Sequence, residues 1–141
     1  MTNTATETLS VVVEREIPYP PEKIWCALTQ PHLIEEWLMK NDFRPVVGHN
    51  FSLRTDPQPH WNGVIDCQVL VVEQNKSLSY TWGALGLESA VTFTLSRTPE
   101  GTHLRMEQTG FSSDRPQNYQ GAKYGWQKFF AKLEQVLSRT G

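Results

Sequence analysis

The chain has 141 residues, 13 of them basic and 15 acidic, a formal net charge of −2 with no run of like charge. That length suits one domain with one core, and the balanced charge argues against nucleic acid or an anionic membrane surface as the main partner. No apolar stretch approaches membrane-spanning length, and Met1 to Thr8 is polar rather than a basic patch followed by an apolar run, so export is not expected and a cytoplasmic location is. Cys26 and Cys67 lie in unrelated contexts and match no disulfide framework or metal-ligand spacing, which makes them buried thiols of a reducing compartment.

In chain order, Leu9, Val11, Val13 and Ile17 alternate with polar residues, giving a half-buried strand whose inward parity also takes in Arg15. Pro18, Pro20 and Pro21 end it. The spacing of Ile24, Trp25 and Leu28 predicts a short helix over 22–29, and Leu33 and Trp37 a second over 32–39, the two joined at Pro31. Residues 40–50 are less regular. Phe51 and Leu53 mark a short strand, residues 56–59 a loop, and Ile65, Cys67, Val69 and Val71 one face of a strand over 63–73. After a turn at 74–76 come Leu78, Tyr80 and Trp82. Gly83 to Gly86 breaks that strand before Val91, Phe93 and Leu95, and the turn Thr98-Pro99-Glu100-Gly101 leads into Leu104, Met106 and Gln108.

The last segment, 114–141, is the one stretch long enough for a substantial helix. At about 100° per residue, Tyr119, Ala122, Trp126, Phe129, Phe130, Leu133 and Leu137 share one arc, and Tyr124, Lys128, Lys132, Gln135 and Arg139 the other. Asp114 suits the cap, Pro116 the first turn, and Arg139 with Gly141 the exit. The aromatic arc needs a broad apolar partner. The fold class is therefore α+β, an antiparallel sheet of about six strands curled around the long C-terminal helix, with two short helices after the first strand.

The histidines His32, His49, His60 and His103 have no ligand-spaced partners, so no metal is expected, and no cofactor-binding fingerprint is present. The aromatics carry more. Trp37, Trp61, Trp82 and Trp126 fall inward or at strand ends and could line one space, or simply fill the core. Arg15 and Gln108 point polar heads inward by parity, and each needs a partner. They orient the polar end of a bound molecule whose apolar body lies against Phe93, Met106, Trp82, Trp126 and Phe130, or else Arg15 reaches the sheet edge and Gln108 bonds the backbone.

The segments Pro21-Glu22-Lys23-Ile24-Trp25, Ala27-Leu28-Thr29, Trp37, Gly63, Leu78-Ser79-Tyr80-Thr81-Trp82 and Val91-Thr92-Phe93-Thr94-Leu95, followed by Gly101-Thr102, Leu104, Gly110-Phe111 and Gly125-Trp126, resemble the activator of heat-shock-protein ATPase homologue family. That family sits in the superfamily of the steroidogenic-acute-regulatory-related (START) domains and the birch pollen allergen. The resemblance spans nearly everything from residue 9 onward and implies a helix-grip fold with an apolar cavity between sheet and C-terminal helix. It supplies no catalytic motif. Gln108 stands where relatives often have a histidine.

Together these readings lead to a single domain over 1–141, its first seven residues flexible. It binds a small hydrophobic or amphipathic molecule through Arg15, Trp37, Trp61, Trp82, Phe93, Met106, Gln108, Trp126 and Phe130, as monomer or homodimer, without cofactor. One alternative is a co-chaperone-like module whose partner, a chaperone or other protein, reads the outer surface. The other is a cavity enzyme of cyclase, dehydratase or hydrolase type, for which Tyr80, Arg15 and Cys67 are the inward-facing candidates by parity.

Overall fold

The computed structural model describes residues 8–59, 61–84, 87–112 and 116–139. The expectations for the first seven residues, His60, the end of the Gly83–Gly86 break, the Asp114 cap and the Gly141 exit lie outside them. Strand β1 (Thr8–Ile17) leads into helices α1 (Pro21–Thr29) and α2 (Pro31–Trp37). Strands β2 (Lys40–Asn41), β3 (Asn50–Arg54), β4 (Val64–Glu73), β5 (Ser77–Ala84), β6 (Leu87–Thr98) and β7 (Gly101–Ser112) follow, and α3 (Pro116–Arg139) ends the described chain.

The strands form one antiparallel sheet in the order β1-β7-β6-β5-β4-β3-β2. From β3 to β7 each strand pairs with the one before it, and the closure that brings β1 beside β7 is the long-range step. The seventh strand, absent from the six expected, is the two-residue β2, which pairs Lys40 with Arg54 and Asn41 with Leu53. It is too short to show periodicity, and a side chain holds it in place. Asn41 donates through Nδ2 to the carbonyls of Pro31 and Met39 at 3.1 Å each, and accepts from the Phe43 amide through Oδ1 at 3.1 Å.

Gly63 precedes β4 rather than opening it. Its φ of +80° is a backbone conformation that L side chains rarely adopt, and a Cβ there would come within 2.3 Å of the Thr55 carbonyl. The turn brings Thr55 N to 2.8 Å from Gly63 O and closes the loop beneath β4.

Both short helices carry proline in their first turn, where the missing N–H costs nothing. Trp37 locks them together, its indole N–H donating to Ala27 O at 2.8 Å while the ring meets Phe93 edge-on at 6.2 Å. Helix α3 packs on α1, α2, β1 and β7. Its buried residues are Trp126, Phe130, Leu133, Val136 and Leu137, and Val136 adds one position to the expected arc. Its first ten residues, Pro116 to Gly125, include no buried residue. The helix is firmly seated from Trp126 onward and more loosely before it, where Tyr119 meets Phe111 of β7 edge-on at 6.1 Å.

On the outer face, His103 of β7 lies between two carboxylates of β1, with Nε2 2.8 Å from Glu14 and Nδ1 on Glu16. Hydrogen bonds to Glu16 and then Glu14 raise its pKa above the ordinary 6.5. A raised folded-state pKa gives stability that is complete below 6.5 and is lost as pH climbs through the raised value. The urea midpoint should therefore fall as pH rises from 6.5, and His103→Gln should flatten that slope. Leu133→Ala should cost about 2–5 kcal/mol in urea unfolding, whereas Lys132→Ala on the exposed side should stay within about 0.5 kcal/mol.

Candidate functional site

Strand register places Gln108 in an otherwise apolar row across the core face, opposite Val11 and Val91 and continuing through Tyr80 to Val69. It is 1% exposed. An amide buried there without partners would cost about 1–3 kcal/mol or more. Trp126 donates its indole N–H to Gln108 Oε1 at 2.7 Å, Gln108 donates from Nε2 to Ser89 Oγ at 2.9 Å, and Ser89 donates to Trp82 O at 2.9 Å. The two ends fix the direction of this relay, because an indole only donates and a carbonyl only accepts. The amide orientation of Gln108 follows without ambiguity. Among the described residues, its second Nε2–H and the indole N–H of Trp82, itself 9% exposed, meet no acceptor.

Where α3 is more loosely seated, a cavity of about 270 Å³ separates it from the sheet. The sheet side is formed by Ile65, Trp82, Gln108 and Phe111, and the helix side by Asn118, Gly121, Ala122, Gly125, Trp126 and Phe129. Met39, Trp61, Ala84 and Leu87 complete the wall. Trp61 is held there by a bridge to Gln58 and by its indole N–H, which donates to Val64 O at 3.1 Å. No charged side chain is among these described lining residues. A larger hollow of about 800 Å³ is an open trough whose wall includes Asp66, Gln68, Thr81, Glu88 and Thr109, residues that alternate with the core positions. It is the more open of the two, and the smaller space has the more apolar wall.

The structure brings together four of the nine candidate residues, Trp61, Trp82, Gln108 and Trp126, around the cavity. Trp37, Phe93, Met106 and Phe130 lie instead in filled core, fully buried and cross-packed, with Phe93 5.9 Å from Trp126 and Phe130 6.2 Å from it between ring centroids. Arg15 keeps its inward parity but not its inward head. Because β1 is an edge strand, the side chain, 32% exposed, runs out past Phe130 to the rim. There it donates to Glu14 O at 2.9 Å and to Gln127 Oε1, with Nε 3.7 Å from the Glu134 carboxylate. Arg15 ties β1 to α3. Ser89, Gly121, Ala122 and Gly125 were not anticipated in the site. The sequence signal available for the last three was a run of small residues on the inward side of the helix.

Burial pushes the Cys67 thiol up to about 12, with Asp66 and Asp42 adding to it, and burial likewise raises the Tyr80 hydroxyl well above its ordinary value. Both groups stay protonated at neutral pH. Among the described residues, no group of three or more His, Cys, Asp or Glu could hold a metal ion. No helix is long and apolar enough to cross a membrane.

A curved antiparallel sheet gripping a long C-terminal helix, with two short helices after the first strand, defines the helix-grip class of the Bet v 1-like superfamily. Within it, residues 18–138 match the family model of Activator of Hsp90 ATPase homolog 1-like proteins, and the chain belongs to that family. It is similar to the crystal structure of protein MLL2253 from Mesorhizobium loti, with 61% identity, a TM-score of 0.88, and coverage of 94% of this chain and 99% of that one. It is also similar to BH1534 from Bacillus halodurans, at 26% identity and TM-score 0.78 over 95% of this chain and 99% of that one. CalU16 from Micromonospora echinospora shares the fold at 23% identity and TM-score 0.74, over 96% and 88% of the two chains. No functionally curated protein matches the sequence.

Gln108→Leu should cost about 1–3 kcal/mol, because it orphans the Trp126 indole N–H in the core. Adding Trp126→Phe removes that orphan, so the double variant should be more stable than the sum of the two losses. A double-mutant cycle in urea checks this, and strict additivity would contradict the relay.

Proposed function

We propose that the protein binds a small hydrophobic or amphipathic molecule in the cavity between the sheet and the N-terminal half of α3. The observation that carries this reading is an apolar-walled space of about 270 Å³ lined by Gln108 and Trp82, each of which keeps an N–H that no described residue accepts. Buried donors without partners are costly, and a ligand acceptor removes that cost. The volume lies just below the usual range of about 300–1,000 Å³ for small-molecule sites, so the ligand is small. Membership of a fold family that commonly has such a cavity supports the same reading. The role that follows is sequestration or presentation of the bound molecule.

Native mass spectrometry of freshly purified protein should show a noncovalent adduct, and 1-aminoanthracene, an uncharged polarity-sensitive dye, should bind with enhanced fluorescence. A probe at 100 times its Kd stabilises the folded state by about 2.7 kcal/mol, visible as a raised Tm. Ala122→Trp, which fills the cavity from the helix side, should abolish dye binding while keeping a cooperative unfolding transition. A wild-type protein that binds no dye and carries no adduct would refute the reading.

A further inference from the structure

Gly121 and Gly125 lie one turn apart in the interior of α3, and both are in the cavity wall. Glycine is the poorest helix former after proline, so a helix interior keeps it only where something requires it. Backbone conformation does not, since neither is among the described glycines with positive φ. Packing does not either, because a Cβ built on Gly121 or Gly125 meets no heavy atom within 4 Å. The two positions leave a strip of bare helix backbone facing empty space. The opposite wall includes Gln108 and Trp82, each with an N–H that no described residue accepts, and Trp61, Trp126 and Phe129 also line the space.

We infer that Gly121 and Gly125 determine which ligands the cavity takes, leaving helix backbone bare so that an uncharged ring compound lies against it with a hydrogen-bond acceptor on the N–H donors of Gln108 and Trp82. This rests on the ligand-binding reading above and narrows it. Gly121 is exposed and Gly125 half-buried, so the strip runs from the mouth inward, and Gly125 faces the more enclosed part of the ligand. The relay gives the site its polarity. Trp126 donates to Gln108 Oε1 while no described residue accepts the second Nε2–H, so a carbonyl or ether oxygen on the ligand meets a need that an N–H donor does not. With no charged side chain among the described lining residues, a carboxylate or ammonium would lose its hydration without a counter-charge.

The test uses 2-acetylnaphthalene and its near-isostere 2-ethylnaphthalene, which lacks the acceptor, titrated by calorimetry against the full chain. The wild type should bind the ketone at least threefold tighter than the hydrocarbon. Gly121→Ala and Gly125→Ala should each raise Tm, because alanine improves the helix and meets no neighbour. Yet they should weaken ketone binding, the double variant by tenfold or more and Gly125→Ala more than Gly121→Ala. Variants that gain stability and bind the ketone as tightly as wild type would overturn the inference while leaving the cavity reading intact. Alanine variants that lose stability would also overturn it, by showing that the chain itself needs glycine there. A wild type that binds neither naphthalene and no 1-aminoanthracene would remove the cavity reading and this inference together.

Discussion

Trp126 must be buried and must also give its indole N–H an acceptor, and the architecture turns on meeting both demands at once. A large aromatic seats α3 on the sheet, but an indole N–H sealed in a core without an acceptor is destabilising. Gln108 meets the need from the middle of an apolar row, and its own amide is then handed on through Ser89 to the carbonyl of Trp82. Strands β5, β6 and β7 and helix α3 are thereby joined by one directional chain of hydrogen bonds. Such a network specifies one arrangement of helix on sheet, because sliding α3 breaks the Trp126–Gln108 link and leaves an indole N–H without its acceptor in the core.

From that anchor toward its C-terminus, α3 buries Phe130, Leu133, Val136 and Leu137, and the Arg15 contacts to Gln127 and Glu134 fasten it to the edge strand. Toward its N-terminus Tyr119 still meets Phe111 of β7, but between it and Trp126 the cavity wall is made by Gly121, Ala122 and Gly125, which are too small to fill the space. The cavity is the direct result of that change in side-chain size along one helix. The tryptophans divide by the same logic. Trp37 joins two short helices across filled core, while Trp61, Trp82 and Trp126 surround the space the small residues leave.

The chemistry of that space is narrow. It offers neutral N–H donors and aromatic walls, no charged side chain among the described residues, and no low-pKa nucleophile nearby, since burial keeps Cys67 and Tyr80 protonated. The structural likeness to proteins from Mesorhizobium, Bacillus and Micromonospora extends across the sheet and its helix, and marks the fold rather than the local details of this wall.

The sequence by itself determined the architecture. Period-two alternation marked the long strands, helical spacing marked α3 and the short helices, and the proline and glycine positions marked the turns, because each signal is local and repeats along the chain. Tertiary structure decided the rest. The strand β2 is held by an Asn41 side chain rather than by a pattern, and the closure of β1 against β7 joins distant segments. Parity placed Arg15 and Gln108 on the same face, yet only strand order distinguished an edge, where a long side chain escapes to solvent, from the sheet centre, where an amide must find partners. Whether a tryptophan fills a core or borders a void depends on the size of the residue across from it, and that neighbour is distant in sequence.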